Sequence, residues 1–278
     1  MAVERDGFVE AAAFALEDLT TPILDLRDAF ILPGLMDTHV HLTTLAEPEA
    51  GGEVTLTAAD LALRAMINAA ATLQAGFTTV MDMGTGRRTH EEAIYAVRDA
   101  VRKGLIPGPS ILAAGSPISA LGSSRTSTYR DEVEAAIGPQ GVCDGADDCR
   151  RAVREQVKRG ADFVNVYNTG SLLSEPTVPQ TLTADELAAI VETAHALGRV
   201  VIADGAGARS SAAGLNAALR AGADAIDTAM FPDAETWRLL EQSQAFYIPH
   251  LYAVQAAVGD TPATLEQGTM GWLPRPVL

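Results

Sequence analysis

The stretch "LPGLMDTHVHLTT", residues 32–44, decides how the rest of the chain is read. His39 and His41 stand one residue apart at the end of an apolar run, where a strand can present a metal ion to solvent. The question this raises is whether the rest of the chain supplies the remaining ligands.

From residue 57 onward one unit recurs: a helical pattern, a glycine, then a short β-rich run. The joints read "LQAGFTTVMDMG", "VRKGLIPGPSILAAGS", "VKRGADFVNVYN", "HALGRVVIADG", "LRAGADAIDTA" and "EQSQAFYIPHLYA". In five of them Gly76, Gly104, Gly160, Gly198 and Gly222 stand where a helix ends in the left-handed conformation. Thr183 with Glu186 makes a capping box, and Thr57 with Asp60 a weaker one. Seven strands follow, near 31–40, 78–82, 110–114, 162–167, 199–204, 224–228 and 245–251. This alternation predicts an α/β fold with a parallel sheet, a TIM-type (β/α) barrel with seven clear units. No apolar strand run follows Tyr252, so the barrel is expected to be incomplete, with the tail or a second subunit filling the gap.

Residues 1–30 read as a small β segment, with "GFVEAAAFAL" and "PILDLRDAF" as short strands, and residues 31–278 as the barrel with an atypical C-terminal tail. The Gly-, Ser- and Pro-containing stretches 116–145 and 170–182 follow the third and fourth strands, and loops on that face of a barrel usually build the site. A formal net charge of −16 disfavours nucleic acid and anionic membranes as partners. No apolar run is long enough to cross a membrane, and the N-terminus lacks the pattern of a secretory signal, so a cytoplasmic location is expected. Cys143 and Cys149 fit neither a C-x-x-C redox pair nor a zinc knuckle and are expected to be loop thiols without chemistry.

"LPGLMDTHVHL" resembles the first-strand motif of the amidohydrolase superfamily. "AGFTTVMDMG", "GADFVNVYNTGSLLS", "AHALGRVVIADGAG", "AGADAIDTAMFPD" and "YIPHLYA" resemble successive strands of its imidazolonepropionase and prolidase-like branch. The resemblance runs from about residue 20 to 253 and implies a barrel with a small β-sandwich around the termini. It also implies a hydrolytic metal centre built from the HxH pair, a strand-four lysine, histidines ending strands five and six, and a strand-eight aspartate. Here only the HxH pair is kept, as His39 and His41. Asn165 stands at the lysine position and cannot be carbamylated; "ADGAG" replaces "AHAHG" and leaves Asp204; Thr228 replaces the strand-six histidine. The position of the strand-eight aspartate falls beyond residue 278, so this member reads as shortened and divergent.

These departures leave three readings. In the first, the barrel carries out metal-independent acid/base chemistry on a small carbonyl compound, as a cyclase, isomerase or lyase, without a cofactor. His39, His41, Asp204 and His250 are then the catalytic residues, since imidazoles titrate near neutrality and a carboxylate can orient them. Asp82, Arg125, Asn165, Tyr167 and Thr228 would position the substrate. In the second, one divalent metal such as zinc sits on His39, His41 and Asp204, and the protein hydrolyses amide or related C–N bonds. In the third, the histidines are a relic in a non-catalytic scaffold. His90 and His195 lie in helical patterns and are expected on the helix surface. The missing eighth unit leaves edge strands to be covered, which favours a homodimer or a closing tail.

Overall fold

The computed structural model describes residues 2–4, 7–9, 30–44, 56–84, 88–123, 132, 141–169, 180–205, 211–229 and 232–250. They belong to two compact units, Met1–Pro33 and Gly34–Leu278. In the first, β1 (Ala2–Glu4) and β2 (Gly7–Val9) pair antiparallel. The strand expected in "PILDLRDAF" and the tail from residue 251 lie outside the described residues, as does the candidate Arg125.

The second unit alternates strand and helix. β3 (Leu35–Val40), β4 (Phe77–Asp82) and β5 (Ser110–Ala113) are separated by helices Ala58–Gln74 and Arg88–Arg102. After β6 (Ile118–Ala120) and β7 (Val142–Cys143) comes helix Ala146–Arg159. Then β8 (Val164–Tyr167), β9 (Val201–Asp204), β10 (Ala225–Asp227) and β11 (Phe246–Ile248) alternate with helices Ala184–Ala196, Ala213–Ala221 and Ala234–Ser243. Every strand pair in this unit is parallel, in the orders β3-β4-β5 and β11-β10-β9-β8-β6-β7. The two sheets join where the Asp162 amide donates to the Ala113 carbonyl and the Ala113 amide to the Asp162 carboxylate, each at 2.9 Å. Among the described residues the main path is therefore β3-β4-β5-β8-β9-β10-β11, seven strands of a TIM-type barrel that those residues leave incomplete. The short strands β6 and β7 fall in the stretch expected to be loop, and they extend the sheet beside β8.

Local chemistry sets these boundaries. Thr57 and Thr183 close capping boxes with Asp60 and Glu186 as expected, and Asp233 with Thr236 closes a third that the sequence reading did not single out. At the other helix ends, Gly160 (φ 118°) and Gly222 (φ 95°) take the left-handed conformation that turns the chain into the next strand.

Alternation along the strands then separates helix-facing cores, one of them around Val164, Val201 and Ile226, from the lumen. Val80, Ile111 and Ala113 pack with Ala65, Ala69, Ile94 and Val97 of the flanking helices. The neighbouring positions Met83, Ala114, Phe163, Ile202 and Ala225, with Met81 and Ile248, form the lumen. Two positions beyond four of these lumen residues come Asn165, Asp204, Asp227 and His250. An apolar lumen floor thus carries a polar layer at the carboxyl ends of the strands, the face on which barrel enzymes place their sites.

The cysteines differ from expectation. Cys143 and Cys149 form a disulfide with sulfurs buried beside Ala152 and Val153, tying β7 to the first turn of helix Ala146–Arg159. The spacing matched no short redox motif because the bond crosses from a strand to the helix after it. Closing a loop this short contributes about 2 kcal/mol by the chain-entropy model. The Cys143→Ala/Cys149→Ala protein is expected to lose about that much in urea denaturation, whereas equal stability in the presence and absence of the pair would mean that the thiols are not joined.

Candidate active site

β3 delivers His39 to the lumen with its ring gripped on one side by Asp227, which ends β10. Nδ1 of His39 contacts Oδ2 of Asp227, whose side chain is fully buried. Asp227 Oδ1 accepts the Thr228 amide at 2.8 Å, so the carboxylate is fixed from both sides. The opposite nitrogen of His39, Nε2, lies 3.3 Å from Nε2 of His41, and the two rings meet edge to face at 84°. His250 stacks on His39 with ring centroids 4.0 Å apart. Its Nδ1 is 3.3 Å from Thr228 Oγ1. The structure thus brings His39, His41, His250 and Thr228 together.

Asp204 and Asp227 are direct register partners on adjacent strands and are 5% and 0% exposed. Two buried carboxylates side by side demand positive charge in the same layer. Burial pulls the His39 imidazole down, but the hydrogen bond and charge of Asp227, with the charges of Asp204 and Asp37, outweigh it and leave its pKa raised. His250 moves the other way: burial and then the charge of His39 lower it, against weaker opposition from Asp227 and Asp37. Neighbouring imidazoles whose titrations are driven apart are a common arrangement of acid and base in enzymes.

Two residues here are held in backbone strain. Thr228 (φ 50°) and His250 (φ 48°) are non-glycine residues in the left-handed region, and for a β-branched threonine this is a marked outlier. Such strain costs on the order of 1–3 kcal/mol per residue and clusters at functional sites. The two strained residues touch each other through Thr228 Oγ1 and the His250 ring.

The donors available to a cation are clear from this geometry. His39, Asp227 and His250 each bring one ligand atom within 4.8 Å of the others. His250 lies face to face with His39, so the in-plane lone pairs of those two rings do not converge. The Nε2 atoms of His39 and His41 lie 3.3 Å apart. Two donors each about 2.1 Å from one tetrahedral ion would lie about 3.4 Å apart, close to the separation of these two nitrogens. With an ion on these nitrogens, Asp227 on Nδ1 would be the outer carboxylate that fixes the tautomer of His39.

The other candidates sort differently. Asn165 is 1% exposed; its Nδ2 donates to the Met83 carbonyl at 2.9 Å, while its buried Oδ1 has no hydrogen-bond partner among the described residues. Tyr167 ends β8, and its carbonyl accepts from Thr181 Oγ1 at 3.3 Å. Asp82, expected to position substrate, is buried and bonded to backbone amides. It stands on the Val80 side of β4, and its carboxylate accepts from the Leu42 amide at 2.8 Å and the Gly84 amide at 3.0 Å. His90 is half-buried rather than a plain surface residue, with Nδ1 2.9 Å from Thr43 Oγ1. His195 is exposed and pairs with Asp224 at 2.8 Å. Asp227 was missed altogether, although it repeats the step of Ile202 to Asp204: a polar residue two positions beyond an apolar lumen residue.

A model of the amidohydrolase family matches residues 30–236. Ochratoxinase of Aspergillus niger is 29% identical over 243 residues, covering 80% of this chain and 48% of the relative. The crystal structure of an Xaa-Pro dipeptidase with methionine bound in its active site superposes with a TM-score of 0.75 at 29% identity, covering 98% of this chain and 64% of that one. The crystal structure of the A. niger ochratoxinase gives 0.69 at 25% identity, covering 84% and 56%. The chain spans about half the length of the curated relatives it matches.

Burial pushes the Asp82 carboxyl up to about 6 despite its two amide donors. A carboxyl whose pKa is higher folded than unfolded opposes folding when ionised, so its penalty is full above pH 6 and fades as pH falls toward 4. Relative to Asp82→Asn, the wild type should therefore gain about 2 kcal/mol between pH 7.5 and 4.5. A stability difference that does not change with pH in paired urea titrations would contradict this environment for Asp82.

Proposed function

This chain belongs to the amidohydrolase family, and from that premise we propose that it hydrolyses amide or related C–N bonds of small N-acyl amino acids or dipeptides. In this reading a single divalent ion sits on His39 and His41. The observation that carries it is the pair of imidazole nitrogens meeting at 3.3 Å, with Asp227 holding the far side of one ring. Asp204 and Asp227, buried in register, supply the negative charge that favours a cation in this layer. A lysine-bridged pair of ions does not fit, because Asn165 stands where the resemblance has lysine. A divalent ion on these nitrogens would supply a Lewis acid for the carbonyl oxygen and a water of lowered pKa.

The chain's own groups divide the remaining work. His250, its pKa lowered by burial and by His39, is neutral at pH 7 and can accept a proton and return it to a leaving nitrogen. Thr228 Oγ1 orients that ring. Asn165 Oδ1, buried and open to a donor, can accept a bond from substrate. The lumen residues below present an apolar floor to the substrate. An amino-acid product is supported by the solved Xaa-Pro dipeptidase, which holds methionine in its active site. The buried Cys143–Cys149 disulfide favours an oxidising compartment over the cytoplasm.

A second reading rests on a separate observation, the stacking of His39 on His250 with their titrations driven apart. There the imidazolium of His39 is the acid and neutral His250 the base, and the reaction is an isomerisation, cyclisation or elimination on a small carbonyl compound without metal.

Calorimetric titration with zinc and manganese, followed by assay of amine release from a panel of dipeptides and N-acyl amino acids, separates the two. The hydrolase reading expects about one tight equivalent, lost in His39→Ala and in His41→Ala. It also expects a 10- to 100-fold weaker site in Asp227→Asn, the usual effect of losing an outer-shell carboxylate, with hydrolysis abolished by a chelator. No binding above micromolar strength, with any activity indifferent to chelation, would leave only the metal-free reading standing.

A further inference from the structure

The polar layer above the lumen floor contains an acceptor that no described residue uses. Asn165 stands two positions beyond the lumen residue Phe163, so its side chain lies on that face of β8. It is 1% exposed, and its Nδ2 donates to the Met83 carbonyl at 2.9 Å. That bond fixes the amide, because a flipped group would set Oδ1 against a carbonyl, acceptor on acceptor. Oδ1 is therefore turned away from the Met83 carbonyl, and it has no hydrogen-bond partner among the described residues. A buried acceptor of this kind is costly unless a donor comes to it.

Charge in the same layer favours a donor that is a cation. Asp204 ends β9, the strand beside β8, and pairs in register with Tyr167, two residues beyond Asn165. Asp227 follows on β10, in register with Asp204. The charges bearing most on the His39 ring are those of Asp227, Asp204 and Asp37, and those bearing most on His250 are His39, Asp227 and Asp37. Neither set includes a lysine or an arginine. Three carboxylates outnumber the single charge of a protonated His39, and they also outnumber the two charges of a divalent ion. A cleft of one sign attracts the opposite sign, and an ammonium group brings three donors with which to meet acceptors on two neighbouring strands.

We infer that Asn165 Oδ1 and the Asp204 carboxylate form a subsite for a primary ammonium group of the substrate. The inference rests on the hydrolase reading for the reaction alone, since the subsite needs no metal. Of the substrates named there, it selects those with a free amino group, such as dipeptides, over N-acyl amino acids, whose one charge is a carboxylate.

Isoamylamine and isoamyl alcohol share one apolar skeleton, suited to a floor that includes Met83 and Phe163, and neither contains a bond to hydrolyse. Calorimetric titration of the full-length protein at about pH 7, where the amine is protonated, is made once with zinc and once after chelation. The amine should bind about 10- to 100-fold tighter than the alcohol in both, the usual worth of a hydrogen bond to a charged group. Asn165→Leu, which removes the acceptor, and Asp204→Asn, which removes the charge and keeps the shape, should each abolish most of that preference while changing alcohol binding far less. A merely structural role for either residue would weaken both probes alike. Equal affinity for the two probes, or no binding of the amine, would overturn the subsite. An amine preference that persists in either variant would place the ammonium elsewhere in the layer and would also overturn it. Should Asn165→Leu fail to fold, Asp204→Asn carries the same test. A protein that prefers the amine but takes up no zinc would support the subsite and count against the hydrolase reading alone.

Discussion

One contact holds the barrel and its chemistry together: the imidazole of His39 against the carboxylate of Asp227. It joins the first barrel strand to the sixth across the lumen, between residues 188 apart in sequence. Asp227 is fully buried beside Asp204, and an uncompensated carboxylate there would cost several kcal/mol. His39 relieves that cost only while it stays oriented, which in turn fixes its Nε2 toward His41. The stacked His250 and the strained Thr228 complete the shell around the same ring. Removing either member of the pair therefore disturbs folding and site geometry together.

Most of the architecture was legible because glycines and capping boxes mark helix ends locally. Gly160, Gly222, Thr57 and Thr183 act through backbone conformation and a hydrogen bond three residues away, and neither needs the rest of the chain. β6 and β7 escaped for the opposite reason. They are short, and their pairing depends on neighbours far along the sequence, so no period of alternation could build up. The disulfide was missed because a strand and the following helix bring Cys143 and Cys149 together, and spacing alone does not show that approach.

The site was legible in part. His39 and His41 share a face because side chains two apart on a strand do, and Ile248 and His250 repeat the step. The same step from Ala225 to Asp227 passed unnoticed, since the resemblance drew attention to Thr228, the position next to it. Asp82 is placed differently. A carboxylate ending a barrel strand looks catalytic, and here its parity with Val80 sets it on the face opposite Met81 and Met83, where the Leu42 and Gly84 amides donate to it. Which carboxylate faces the lumen is decided by strand parity, and parity becomes visible once the apolar lumen residues are identified.

The direct test of this account is long-range ¹H–¹⁵N NMR of the histidine side chains with and without one equivalent of zinc. The account predicts that His39 keeps its proton on Nδ1 against Asp227, and that the Nε2 signals of both His39 and His41 move to the range of metal-bound nitrogen when zinc is added. Nε2 signals that stay in place, or a His39 protonated on Nε2 alone, would contradict it.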